Sequence, residues 1–440
     1  MPISLITVGN ALNELRKLPS EIVHCCVTSP PYYGLRSYGT EPQVWGGDPN
    51  CSHEWTEQII PPKHSDDGIA KTTLYGGTAT QQNSQRTPTM MAECHCGAWR
   101  GDLGLEPTPE LFIAHLVEVF REVRRVLRKD GTLWLNIGDS YAALGGGKAP
   151  GLYQDKRSSG ATWQSKRSSL PTGVKPKDLL MIPAQLALAL RADGWYLRSE
   201  IVWAKKAPMP ESVTDRPTCA HEKVFLLSKS ARYYYDAKAV KEDAVSDHGS
   251  GGTFTNYHKK IIEHSPLTGG LGHQEPWNDI GGKRNMRNVW HLGPEPFPEA
   301  HFATFVSEIP RRAILAGTSA RGVCPKCGGP WVRVVETDRL KAAAPSGNRE
   351  IGRWNANDDT GALGGRTTSQ TIGWRPSCSC DAGAPIPGTV LDCFLGSGTT
   401  ALVADQLGRH CIGIELSPQY AAMAERRVRN DAGLFAEIAI

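Results

Sequence analysis

The apolar run Ile22 to Val27 halts at Thr28-Ser29-Pro30-Pro31-Tyr32. A proline fixes φ and offers no N–H to a ladder, so a buried strand must leave its sheet at a proline pair. Whatever follows stands on a sheet rim, where open α/β sheets bind their ligands. This rim presents a hydroxyl (Ser29), carbonyls held rigid by the proline rings and a flat aromatic (Tyr32). Such a set suits a planar ring bearing an amine. For these residues alone, a proline turn closing an edge strand is the plain structural alternative.

Far downstream, Thr389-Val390-Leu391 reads as a strand, Gly396-Ser397-Gly398 as a tight turn, and Thr399 to Leu407 as a helix. Glycines at such a turn let the backbone approach a ligand closely. The next strand, His410 to Glu415, ends in an acid, the usual partner of ribose hydroxyls.

Together, Thr28-Ser29-Pro30-Pro31-Tyr32 and Leu391 to Thr400 resemble the two signature motifs of the DNA amino-methyltransferases. Those enzymes use S-adenosylmethionine to methylate an exocyclic amine of a base. Serine occupies the position where N6-adenine members more often carry an acid, so the form is most similar to the N4-cytosine members. The catalytic motif comes first and the cofactor motif last, an order that resembles the beta class. The resemblance implies an α/β fold, a Rossmann-like methyltransferase mixed sheet with helices on both faces. Zinc-ribbon-like insertions and a target-recognition region would interrupt it. It further implies catalytic roles for Ser29, Pro30, Pro31 and Tyr32. Asn10, Thr28, Thr304, Phe305, Asp392, Phe394, Gly396, Ser397, Gly398, Thr399, Thr400 and Glu415 would lie at the cofactor. Asn10 departs from the family's Gly-Asp and reads equally well as a turn residue. The implied partners are double-stranded DNA, a second copy of the chain and a cognate restriction enzyme.

On this plan the catalytic-loop part covers 1–45 and an insertion 46–100. The methyltransferase domain continues over 101–235, with target recognition at 236–295 and a cofactor-flanking helix in 296–320. A second insertion at 321–386 precedes the cofactor-binding part, 387–440. Residues 107–129 give the clearest helix, with Thr108 as cap, Pro109 in the first turn, and Phe112, Leu116, Val119 and Val123 on one face. Its arginines read as a solvated face. Strands are expected at 132–137, 196–203 and 221–229, and helices at 11–18, 178–192, 307–315 and 418–429. Residues 46–100 match neither period.

Twelve cysteines could signal disulfides, but their placement does not. Cys25, Cys26, Cys393 and Cys411 sit in strand-like runs as small hydrophobes. Cys51, Cys94 and Cys96 with His53 form one close-spaced set, in which His64 or His95 could replace His53. Cys324, Cys327, Cys378 and Cys380 form another. Thiolates and a neutral imidazole at these spacings fit tetrahedral structural zinc in a reducing compartment. Zinc would staple insertions that have little core of their own.

The net charge of +4 places any nucleic-acid surface in a local patch. One candidate is the Gly- and Ser-rich segment 141–177, with Lys148, Lys156, Arg157, Lys166, Arg167, Lys175 and Lys177 against Asp155. It is expected to be mobile, either closing on a polyanion or serving as a linker. No run approaches the ~18 apolar residues of a membrane helix and no signal peptide is read, so no membrane partner and a cytoplasmic location are expected; the resemblance implies a bacterial or phage setting. No Pro-Cys pair stands where C5-cytosine methylation would need a nucleophile. Methylation of RNA, protein glutamine or a small molecule, and noncatalytic DNA binding, are the competing readings.

Overall fold

A computed structural model of the chain describes residues 3–34, 40–60, 89–142, 173–208, 210–243, 283–295, 306–340, 366–381, 383–432 and 437–439. They fall into two compact units, Met1–Gly317 with Thr389–Ile440, and Thr318–Gly388. Thr304, Phe305, His64, most of the basic segment 141–177 and most of 236–295 lie outside the described residues.

The first unit opens with strand β1 (Ile3–Val8), helix α1 (Ala11–Lys17) and strand β2 (Val23–Thr28). Asn10 caps α1, its Oδ1 accepting from the Leu12 and Asn13 N–H groups. Residues 46–100, which match no regular period in sequence, contribute to an antiparallel sheet. Its strands are β3 (Gln43–Trp45), β4 (Trp55–Ile60), β5 (Thr89–Cys94) and β6 (Trp99–Gly101), in the order β3-β6-β5-β4. Short strands that carry metal-type residues and Trp give too little alternation for the pattern to show in sequence.

Helix α2 (Pro109–Val126) is capped by the Thr108 hydroxyl, which accepts from the Leu111 N–H. It stops three residues earlier than its periodicity suggests, because Leu127 is already extended and begins strand β7 (Leu127–Ile137) beside Val23 of β2. Helix α3 (Ile182–Ala192) likewise starts late, after Met181 in the left-handed region and with a proline in its first turn. Of the α2 arginines, Arg121 is exposed as expected and Arg125 is partly buried. Arg125 donates to the Leu15 and Leu18 carbonyls, tying α2 to the end of α1, and Arg121 pairs with Asp193.

Strands β8 (Tyr196–Lys205), β9 (His221–Ser228), the short β10 (Glu242–Asp243) and β11 (Lys283–Arg284), and β12 (Val289–Leu292) follow, then helix α4 (Glu308–Gly317). The second unit is built on a hairpin of β13 (Trp331–Leu340) and β14 (Arg366–Pro376). The chain then returns to the first unit through β15 (Thr389–Asp392), α5 (Thr399–Gln406), β16 (His410–Glu415), α6 (Pro418–Ala432) and β17 (Glu437–Ala439).

One nine-stranded sheet runs β12-β8-β9-β7-β2-β15-β16-β1-β17. All its neighbours are parallel except at β9, which is antiparallel to both β7 and β8. The N-terminal and C-terminal parts of the chain therefore meet at the centre, where Cys25 and Cys26 of β2 pair with Val390 and Leu391 of β15. Alternate residues of β2 feed opposite faces. Cys26 joins the core under α1, α2 and α3, while Cys25 and Val27 join the one under α4, α5 and α6. Burial on both faces explains why β2 reads as an unbroken apolar run. No helix of the described residues is long and apolar enough to cross a membrane.

Candidate active site and metal centres

Because β1, β2, β7, β15 and β16 run the same way, Asn10, Ser29, Gly138, Phe394 and Glu415 follow their last residues on one rim or close them there. The antiparallel β9 brings its first residues, His221 and Glu222, to the same rim.

Three of the expected site residues form a strut behind that rim. Asp392 is fully buried; its Oδ1 accepts from the Thr28 hydroxyl at 2.6 Å and the Phe394 N–H at 3.1 Å, and its Oδ2 from the Thr400 hydroxyl at 2.6 Å. Burial pushes the Asp392 carboxyl up to about 6, although all three hydrogen bonds oppose the shift. Thr28 and Thr400 are also at 0% exposure. Thr28, Asp392 and Thr400, expected at the cofactor, bond one another through their side chains and clamp β2, β15 and α5 together.

The turn after β15 is the open part. Gly396, at φ +55, has nothing within 4 Å of where a Cβ would stand, so the loop leaves a cradle beside its backbone. Gly398 begins α5 at φ +84, and a Cβ there would come within 2.6 Å of the Ala424 Cβ, so only glycine lets α6 pack on the turn. Ser397 and Thr399 are buried, and Arg427 of α6 donates to the Thr399 hydroxyl and the Ser397 carbonyl. Phe394 and Gly396 are half-buried. Glu415 accepts from the Gly396 and Ser417 N–H groups, both at 2.8 Å, and burial raises its carboxyl. An open glycine cradle with a half-buried carboxylate beside it fits the hydroxylated, charged body of a nucleoside cofactor.

On the other side of β2, Pro30 is buried while Ser29, Pro31 and Tyr32 are half-buried. The loop is held from beneath. Gly34 N–H donates to the Gly104 carbonyl at 2.7 Å, and the Ser140 hydroxyl donates to the Tyr33 carbonyl at 2.6 Å. The Tyr32 ring lies on Gly138, where a Cβ would approach it to 2.6 Å. Its hydroxyl donates to Glu222 Oε2 at 2.5 Å and lies 3.1 Å from Asn136 Oδ1. Neither Glu222 nor Asn136 stood out in the sequence. The available signal was a carboxylate opening an apolar strand, but only the reversed direction of β9 carries it to the rim.

The four-stranded sheet packs on α2 beside this loop. His115 packs against both Trp45 and Trp99, with ring centroids 5.8 and 5.6 Å away. Its Nδ1 lies 2.9 Å from Glu106 Oε1, and the other Glu106 oxygen accepts from the Gly104 N–H. Cys51, His53, Cys94 and Cys96 converge at the far end, their ligand atoms all within 4.8 Å of one another. Cys51 and Cys94 sulfurs are 3.7 Å apart and Cys96 Sγ is 3.4 Å from His53 Nδ1. Around zinc at ~2.3 Å, tetrahedral thiolates stand roughly 3.8 Å apart, whereas a disulfide needs ~2.05 Å. His95 Nδ1 also comes within 3.6 Å of Cys94 but lies outside the four-donor set. In the second unit Cys324, Cys327, Cys378 and Cys380 converge in the same way. Both donor sets fit a tetrahedral metal.

Taken together, the fold and the paired rim loops define a Rossmann-like methyltransferase. A family model for DNA methylases, which covers both N6-adenine and N4-cytosine enzymes, matches residues 23–324 and 382–426. The Type II methyltransferase M.SmaI of Serratia marcescens is 32% identical over 423 residues, spanning 96% of this chain and 90% of that protein. The Type II methyltransferase M.Cfr9I of Citrobacter freundii is 33% identical over 425 residues, 96% of this chain and 87% of its own. Among solved structures, the cytosine-N4-specific PvuII DNA methyltransferase aligns over 97% of this chain and 86% of its own, at 13% identity and a TM-score of 0.46. The chain belongs to the S-adenosylmethionine-dependent DNA amino-methyltransferases.

Proposed function

We propose that the chain methylates the exocyclic N4 of cytosine in duplex DNA as the modification half of a type II restriction–modification pair. The carrying observation is the Thr28–Asp392 hydrogen bond of 2.6 Å, which fastens the strand ending in Ser29-Pro30-Pro31-Tyr32 to the strand ending in the glycine turn. An amine held by the first loop and a cofactor held by the second then lie at neighbouring strand ends. Serine at position 29, and relatives named as Type II methyltransferases, support the choice of base and setting.

A base inside a duplex is out of reach, so it is flipped out at a cost of a few kcal/mol. The Tyr32 ring stacks on it and recovers roughly 1–3 kcal/mol. An aromatic amine is a poor nucleophile because its lone pair is delocalised into the ring. The Ser29 hydroxyl oxygen and the Pro30 carbonyl accept its N–H groups, which localises the lone pair and sets its direction. S-adenosylmethionine, when bound, supplies an electrophilic methyl on a sulfonium. Phe394 and Gly396 would line its site, Glu415 would take its ribose hydroxyls, and the capped turn at Asn10 would close the side. Thr28, Asp392 and Thr400 hold the two loops in register. Cys51, His53, Cys94 and Cys96, and separately Cys324, Cys327, Cys378 and Cys380, each hold a structural zinc.

The test is to methylate unmodified genomic DNA with labelled S-adenosylmethionine and digest the product to nucleosides for mass analysis. N4-methylcytosine is expected. N6-methyladenine would keep the mechanism and overturn the argument from serine, and label in RNA or protein instead would overturn the substrate.

A further inference from the structure

Tyr32 does not stand alone at the rim. Glu222 opens β9, two strands away from β2 in the sheet, with β7 between them. The phenol therefore reaches across β7 to find its partner. Glu222 Oε2 accepts from the Tyr32 hydroxyl at 2.5 Å and from Asn136 Nδ2 at 3.2 Å, while Oε1 pairs with Lys205 Nζ at 2.5 Å. The Glu222 side chain is 14% exposed and Lys205, at the end of β8, 32%. Asn136, at 1%, also donates to the Lys223 carbonyl, so its amide is fixed by the sheet itself.

An ion pair with Lys205 would use one carboxylate oxygen. The second oxygen gathers two donors, one of them the ring expected to meet the base. A phenol pinned at its hydroxyl, with Gly138 beneath its ring edge, has lost both free rotation of the ring and sideways play. A charge-assisted bond of this kind is also about twice as strong as a neutral one. We propose that Glu222, oriented by Lys205 and Asn136, is a positioning residue that locks the Tyr32 ring at the angle needed to stack on the flipped base. This rests on the methyltransferase reading of the rim. Glu222 does not touch the base; it acts through the phenol.

Acting through one atom has a consequence that a general structural role lacks: without the Tyr32 hydroxyl, Glu222 should have nothing left to contribute. The experiment is a double-mutant cycle of Tyr32→Phe and Glu222→Ala, read as kcat and KM for unmethylated DNA. Binding of S-adenosylmethionine, whose loops lie on the other side of β2, reports that each variant is folded. Each single change is expected to lower kcat about tenfold with KM within roughly twofold, since misplacing a reacting group acts on the rate. The double variant should be no slower than the slower single one. Glu222→Gln, which keeps an oxygen for the phenol, should be milder than Glu222→Ala. The cycle is run with it as well, so the result does not depend on the alanine variant folding. Losses that multiply, or a Glu222→Ala kcat equal to wild type, would overturn the inference while leaving the methyltransferase reading intact. A wild-type chain that binds cofactor and methylates no DNA would overturn that reading and the inference with it.

Discussion

Two residues at the rim show how burial and shape set what the site can tolerate. Asp392 is held well above its ordinary value of 3.8, at about 6, by complete burial. Folded chains thus bind this proton more tightly than unfolded ones. The group favours folding below about pH 4, and that contribution is lost as pH rises through about 6, by roughly 3 kcal/mol in all. Asp392→Asn removes the titration, because an amide does not ionise: its oxygen can still accept from the Thr28 hydroxyl and the Phe394 N–H, and the Thr400 hydroxyl can rotate to accept from its NH2. Thermal midpoints measured from pH 4 to pH 7 should therefore fall less steeply in the variant than in wild type; parallel curves would place the shift elsewhere. Gly138 sets shape instead of charge. In Gly138→Ala the new Cβ would meet Tyr32 Cε2 at 2.6 Å, so the pinned ring must move. Methyl transfer should drop about tenfold or more with cofactor binding unchanged, and a variant as fast as wild type would show that the ring has room.

At the scale of elements, the four-stranded sheet reaches the loop after β2 through a short series of contacts. Trp45 and Trp99 pack against His115, His115 meets Glu106, Glu106 holds the Gly104 N–H, and Gly104 carries Gly34. Metal in the first centre should therefore matter to catalysis as well as to folding. Elemental analysis of the purified chain should give about two zinc ions per chain, and Cys51→Ser with Cys94→Ser about one, with a several-fold loss of methyl transfer. Less than half an ion in wild type would remove both centres. Much of this was legible beforehand where one local rule decided the outcome. The proline pair ended β2, Thr108 and Pro109 began α2, and the cysteine spacings grouped the eight donors that converge. What escaped was set by non-local pairing. The strands of 43–101 are short and interrupted by metal-type residues, so no period emerges. Thr28, Asp392 and Thr400 sit in the two motifs singled out, but the sequence could not show that their side chains turn inward to one another. Glu222 reaches the rim only because β9 runs antiparallel to its neighbours, and there it meets Asn136 at the end of β7.

Across the whole molecule, the ends of the chain supply the centre of one sheet. Residues near 28 and near 392, far apart in the sequence, are brought together by β2 and β15. A sheet assembled this way gives the loop after β2 and the glycine turn after β15 a shared rigid base, which loops alone would not provide. Ser29 lies at the junction. Single-turnover methyl transfer to unmethylated genomic DNA should separate its contribution from everything else the fold does. In Ser29→Ala, binding of S-adenosylmethionine should match wild type while the transfer rate falls about a hundredfold. A variant that binds the cofactor and transfers methyl at the wild-type rate would contradict a reaction carried out at this rim.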